Sequence, residues 1–304
     1  MPLGTGNVVQ STVNTAGFIP EVWSDEIIAA YKKNLVAANL FKKMSMKGKK
    51  GDVMHFPSPA RGSAAVKTAS SQVTLIAESG TEKTVTINQH YEYSRLIEDF
   101  AEVQALSSLR RFYTDDAGYA LATRIDTSLI ELGRGAQAGS GTAAYTKAYL
   151  AGDGSTLYVD GTNVGTALTD AGLRRAIQRL DDSDVPMDGR FLIVPPSTRN
   201  TMMGLARFTE QAFVGDGATI RNGQIGDVYG VKVFVTTNAD TATTTTTRIA
   251  LLAHPEAFVL VDQLGVRVQT QYKQEYLGTL LTADTLYGVG ELRDTSAVAL
   301  AVPA

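Results

Sequence analysis

No cysteine occurs among the 304 residues. That absence removes disulfide frameworks, thiolate zinc centres and thiol catalysis together, and it leaves the redox compartment open. Histidine is almost as scarce, with only His55, His90 and His254 present, and none has a third residue beside it at metal-ligand spacing. Hydrogen-bonded structural histidines are expected instead, with His55 and His90 facing each other near the base of a hairpin that they flank. No run approaches the ~20 apolar residues that a membrane helix needs. The opening MPLGTGNVVQSTVNTAG has neither the basic nor the apolar region of a secretory signal, so a protein made in the cytoplasm, with no membrane contact, is expected. The net charge of -3 gives no cover of Lys and Arg over the whole surface, so any contact with nucleic acid must be local.

Motifs of catalysis are missing as well. The stretch GDGATIRNGQIGDVYGVKVFVTTN, from Gly215 to Asn238, is crowded with glycine and invites a phosphate-binding reading. A dinucleotide fingerprint, however, follows a strand and opens a helix, whereas Gly223, Gly226 and Gly230 have another spacing and lead into the strand-like VKVFV. These glycines are expected to turn the backbone before a core strand. No P-loop and no nucleophile elbow occur, and GDGSTLYVDG lacks the residue order of a calcium loop. The adjacent pairs Asp115/Asp116 and Asp181/Asp182 point ~100° apart on helices, which suits charged helix faces and not a proton-sharing dyad. No catalytic, cofactor-binding or metal-binding residue is assigned, no cofactor is expected, and the chain is not expected to be an enzyme.

What is present is a sequence of contrasting segments. Residues 1 to about 20 form a polar arm without periodicity. In PEVWSDEIIAAYKKNLVAANLF an amphipathic helix is predicted, with Trp23, Ile27, Tyr31, Leu35 and Leu40 near helical spacing. Over residues 1 to 50 seven lysines face three acids, and Lys42, Lys43, Lys47, Lys49 and Lys50 form the only charge cluster, read as a solvated face with scope for a weak, non-specific phosphate contact. From Gly51 to about Tyr93 the pattern predicts a long hairpin, which is marginal alone and needs a surface to lie on. A spine helix is predicted from about Leu96 to Leu132, with Phe112, Tyr113, Ala117, Leu121, Ile125 and Leu129 on one face and Gly133 at its C-cap. Short strands, a helix capped by Thr169, the buried strand RFLIV, a helix begun by proline in PPSTRNTMMGL, and strands to the end complete an α+β pattern.

In this order, the segments FIPEVWSDEIIAAYKKNLVAANLF, DDAGYALATRIDTSLIELG, GRFLIVPPSTRN, NGQIGDVYGVKVFVTTN and LLAHPEAFVLVDQLGVRVQTQ resemble the major capsid proteins of tailed bacteriophages, from about Phe18 to the end. The resemblance implies the Hong Kong 97 capsid fold. It assigns an N-terminal arm with a short helix to 1–50, an extended β-hairpin loop to 51–93, and the spine helix and peripheral domain to 94–140. An axial domain at 141–257, peripheral strands at 258–285 and a return to the axial domain at 286–304 follow. It also implies self-assembly as hexamers and pentamers into an icosahedral head enclosing double-stranded DNA. The expected partners are further copies of the chain, a separate scaffolding protein, a portal protein and a possible decoration protein, and the expected location is the virion. Some members of the family crosslink a lysine of the extended loop. Lys67 and Lys83 lie in that region, but no crosslink is assigned. An encapsulin-type shell is the alternative within the fold, and a soluble enzyme with an unrecognised site is the alternative outside it.

Overall fold

The computed structural model describes residues 35–59, 62–73, 75, 80–99, 109–133, 148–155, 157–159, 163–205, 227–241 and 246–304. In chain order the elements are α1 (Ala37–Leu40), β1 (Lys42–Ser45), β2 (Val53–Pro59), β3 (Gly80–Thr86), β4 (Gln89–Glu98) and α2 (Leu109–Leu132). There follow β5 (Ala148–Ala151), β6 (Leu157–Val159), α3 (Asp170–Asp181), β7 (Phe191–Val194), α4 (Pro196–Met203), β8 (Asp227–Val228) and β9 (Val231–Val235). The chain closes with β10 (Thr247–Ala253), β11 (Phe258–Lys273), β12 (Gly278–Glu291) and β13 (Ala297–Pro303). The polar arm, most of the helix predicted over PEVWSDEIIAAYKKNLVAANLF, and GDGATIRNG lie outside the described residues.

Continuous apolar runs build the larger sheet, of seven strands in the order β6-β5-β13-β10-β7-β9-β8. FLIV in β7 is buried at every position, as a strand covered on both faces must be. Its side chains divide by the two-residue period. Leu192 and Val194, with Leu252 and Leu300, meet Leu173, Ala176 and Leu180 of α3 and Met202 of α4. Phe191 and Ile193, with Leu251 and Ala253, turn to the other side, towards Leu129 and Ile130 of α2. Thr169 caps α3 as predicted, its hydroxyl accepting from the Gly172 amide at 3.1 Å.

The smaller sheet has four strands in the order β1-β11-β12-β4, with β1 parallel to β11 and the rest antiparallel. Phe258, Leu260 and Tyr287 face α2 and join the core of the larger sheet, where Phe41 lies 5.1 Å from Phe191 and 4.8 Å from Phe258 between ring centroids. Val259 and Val261 face the other way, onto Met46, Val85 and Ile87. The two sheets therefore share one core along α2, with the β2–β3 ribbon on the opposite face of the smaller sheet.

Two expectations need correction. The hairpin does not run to Tyr93: β2 pairs with β3 from Val53↔Thr86 to Pro59↔Gly80, and residues 89–98 form β4 in the four-stranded sheet. The helical reading from Leu96 fails for the same reason, because Leu96 and Ile97 alternate across β4, Leu96 exposed and Ile97 buried, with backbone partners on β12. In the part of α2 that is described, Ala117, Leu121 and Leu129 are buried on the face that the periodicity marks.

Candidate assembly surface

The ribbon has one foothold on the body. Val85 is the only buried residue of β3, and it packs with Met46, Ile87, Val259 and Val261 while Met54 and Phe56 lean on the cluster. The base is closed by the Ile87 amide donating to the Asp52 carbonyl at 2.7 Å. Glycine makes this crossing feasible. A Cβ at Gly288 of β12 would stand 2.6 Å from the Thr86 carbonyl oxygen, and one at Gly290 would stand 2.4 Å from a Val85 methyl. Beyond the foothold the ribbon leaves the body, and Val66, Val73 and Leu75 in the segment that follows are 99%, 63% and 89% exposed. Seven residues of ribbon extend about 20 Å, and a two-stranded ribbon of that kind does not hold its shape alone in water.

A second projection is the distal half of the β11–β12 hairpin. Val266, Val268, Tyr272, Tyr276 and Leu277 are all exposed along it. Ion pairing stiffens its middle. The Arg267 guanidinium donates to both oxygens of Asp284, at 2.7 and 2.9 Å, and His90 of β4 lies 3.3 Å from the same carboxylate. Arg267 first, and His90 to a smaller extent, hold the Asp284 carboxyl below its ordinary range. Near the tip the Tyr272 hydroxyl donates to Asp99 at 2.9 Å, a bond that raises its own pKa.

Between ribbon and body stands a carboxyl pair. Glu291 ends β12 with Oε1 buried and without a hydrogen-bond partner. Burial first, then the hydrogen bond to the neighbouring Asp294, push its pKa up to about 8, and Lys83 of the ribbon offsets this in part. A carboxyl raised in the folded state stabilises that state fully below its ordinary value of 4.5 and progressively less as pH rises towards about 8. Glu291→Gln, a neutral isostere, is therefore expected to leave stability unchanged below about pH 4 and to raise it increasingly as pH rises from there to about 8. Thermal melts of both proteins across that range check this, and parallel pH profiles would refute it.

A latch ties the start of the described chain to the rest. Asp126 of α2 is fully buried, and its Oδ1 accepts from the amides of Ala37 at 2.7 Å and Ala38 at 3.3 Å. Its Oδ2 accepts from the Asn238 side-chain amide at 3.1 Å. Thus one carboxylate caps α1, from α2, and fixes the segment after β9 in the larger sheet. The capping matters because Val36, in the N-cap position, offers no side-chain acceptor.

The residues singled out in the sequence occupy separate places. His55 does not face His90: it sits on the ribbon with its Nδ1 against Glu82, while His90 belongs to β4 and meets Asp284. His254 Nδ1 accepts from the Glu256 amide at 3.3 Å. Asp116 accepts from the Tyr93 hydroxyl at 2.8 Å, and Asp181 pairs with the buried Arg190 at 2.7 Å, so both have structural partners beyond solvent. Lys42, Lys43, Lys47, Lys49 and Lys50 are all exposed, with Lys47 held by Asp262 at 3.0 Å. Gly230 answers the glycine question for the described part of its stretch. Tyr229 and Gly230, with φ of 52° and 76°, form the two-residue turn that sends β8 into β9. Among the described residues no helix is long and apolar enough to cross a membrane, and no group of three or more His, Asp or Glu is placed to hold a metal.

A family model described as phage capsid protein matches residues 24–291. Among solved structures, one from Mycobacterium phage Che8 is 25% identical, with a TM-score of 0.75 over 93% of this chain and 97% of that one. The capsid structure of cyanophage P-SCSP1u is 18% identical, with a TM-score of 0.74 over 99% and 96% of the two chains. The asymmetric unit of the bacteriophage PhiM1 mature capsid is 13% identical, with a TM-score of 0.71 over 93% and 92%. No curated protein matches. The fold is the α+β Hong Kong 97 type that the sequence implied.

Proposed function

The chain belongs to the phage capsid protein family, and from that premise we propose that this major capsid protein tiles an icosahedral head as hexamers and pentamers closed around double-stranded DNA. The observation that carries this reading is the β2–β3 ribbon, which has one buried residue in β3 and leads into exposed Val66, Val73 and Leu75. Such a ribbon gains its stability by lying on a neighbour, and the exposed apolar edge of the β11–β12 hairpin offers further contact of the same kind. We assign the ribbon to the extended loop, α2 with the four-stranded sheet to the peripheral domain, and the seven-stranded sheet to the axial domain. The reading extends to a scaffolding protein, a portal protein, a possible decoration protein, weak contact of exposed lysines with packaged DNA, and synthesis in the host cytoplasm. It also takes the protein to be structural, with no reaction of its own.

Electron microscopy of the purified protein, alone and with a co-expressed scaffolding protein, tests the proposal. Closed shells are expected in at least one condition, and a compact monomer in both would overturn it. Replacing residues 62–75 by a short Gly-Ser turn is expected to abolish shells while the subunit keeps its fold. Normal shells from that variant would remove the ribbon from the assembly mechanism.

A further inference from the structure

The β2–β3 ribbon and the body enclose a mostly polar cleft of about 540 Å³. Its walls carry three cations, Lys42 of β1, Lys83 of β3 and Arg293, against one acid, Glu256, a formal excess of two positive charges. Glu256 lies 3.7 Å from Arg293, which leaves the two lysines as the excess. Lys42 has no ion pair among the described residues, and Lys83 acts on the part-buried Glu291, whose raised pKa keeps it largely protonated near neutrality. Phe56 and Leu292 add apolar wall. This combination suits a carboxylate carried on a partly apolar peptide, whereas a phosphodiester backbone has nothing apolar to lay on Phe56 and Leu292.

A segment of that kind stands at the far end of the β11–β12 hairpin. Glu275 in the turn is exposed, and the pairing of Gly278 with Glu98 brings Glu98 and Asp99, also exposed, close to it. The Asp99 amide donates to the Leu277 carbonyl at 3.0 Å and ties the end of β4 to the turn. Three carboxylates against Lys273 give the tip a formal excess of two negative charges. Tyr276 and Leu277 are exposed beside them. Leu277 has φ of 44°, a left-handed conformation that is unfavourable for a branched side chain.

Tip and cleft do not meet within one subunit. Glu256 and Arg293 flank the base of the same hairpin, and the 14 residues of β12 separate base from tip by about 45 Å. The tip that matches the cleft in charge and in apolar content therefore belongs to another copy.

We propose that the tip of the β11–β12 hairpin, through Glu275, Glu98 and Asp99, seats in the ribbon–body cleft of a second copy of this chain, against Lys42, Lys83 and Arg293. The inference rests on the assembly reading and adds to it which two surfaces meet. The contact is head-to-tail, so its repetition from copy to copy builds a ring or a continuing array and not an isolated pair. Its charges lie near solvent, so rising salt weakens it.

Charge reversal tests the match. Lys42→Glu with Lys83→Glu turns the cleft negative, and Glu98→Lys with Glu275→Lys turns the tip positive. Each double variant is expected to lose closed shells while its far-ultraviolet circular dichroism is kept, and the protein carrying all four changes is expected to regain them. Normal shells from either double variant, or no recovery when the four are combined in a folded protein, would overturn the proposal. So would shells of normal yield from the cleft variant with less nucleic acid inside, since the cleft would then serve phosphate. The absence of native cysteine permits a second test. Tyr276→Cys protein assembled in turn with Ser58→Cys, Lys83→Cys and Thr295→Cys protein is expected to give, for at least one mixture, a disulfide between the two variants that neither forms alone. Shells without such a disulfide in any mixture overturn this contact and leave the assembly reading standing, whereas a compact monomer in every condition overturns both.

Discussion

Asp126→Ala is expected to lower stability by roughly 3 kcal/mol, from at least two hydrogen bonds to a charged group at about 1.5 kcal/mol each. The loss leaves the Ala37 amide and the Asn238 side-chain amide without their acceptor in a buried site. Asn238 keeps Thr127, which lies 3.0 Å away, so its loss is partial. The Ala37 amide is at a helix N-terminus that has no other cap, and its loss is complete. Asp126→Asn keeps one acceptor for the Ala37 and Ala38 amides but turns its NH2 group on the Asn238 amide, donor against donor, so it should cost less than alanine yet still roughly 2 kcal/mol. Denaturant unfolding of the three proteins measures both steps. A loss near zero for asparagine would show that neither the carboxylate charge nor its second acceptor oxygen has a part in the latch.

Gly288→Ala is expected to unseat the ribbon. The new methyl would stand 2.6 Å from the Thr86 carbonyl oxygen and 3.0 Å from the Ile87 Cα, both backbone atoms that no rotamer change can move. Overpacking of this kind costs roughly 1–3 kcal/mol. Here it falls on the ribbon's one foothold, so we expect faster hydrogen exchange across β2 and β3 and loss of closed shells. Gly290→Ala tests the same crossing. Its methyl would meet both methyls and the Cβ of Val85 at 2.4, 3.1 and 3.2 Å, and this buried, β-branched side chain has little room to turn, so the ribbon is expected to be unseated here too. Shells of normal yield from Gly288→Ala, or from Gly290→Ala, would refute the account of the crossing.

The sequence disclosed the parts of the fold that rest on periodicity. The face of α2 through Ala117, Leu121 and Leu129, the Thr169 cap and the buried strand FLIV were all legible, because each is decided within a few residues of itself. β4 was not legible. Its Leu96 and Ile97 fit a helix as well as a strand, and only pairing with β12, some 180 residues away, decides between them. Asp126 was hidden for a related reason. It stands beside the apolar stripe of a long helix, and its partners, Ala37 and Asn238, are 89 and 112 residues distant. Gly288 and Gly290 did carry a signal, since glycine inside a strand marks a bulge or a close backbone approach. The sequence names the approach but not the Thr86 and Val85 that make it.

The parallel pairing of β1 with β11 has a mechanical meaning. Lys42 to Ser45 run beside Val259 to Asp262 in the same direction, so behind the Asp126 latch and the buried Phe41 the amino-terminal segment is held a second time, by a short edge strand. Tension applied along that strand loads its hydrogen bonds together, in shear. Tension applied across it opens them one after another, like a seam. The same four-residue joint is therefore strong or weak according to the direction from which the arm is pulled.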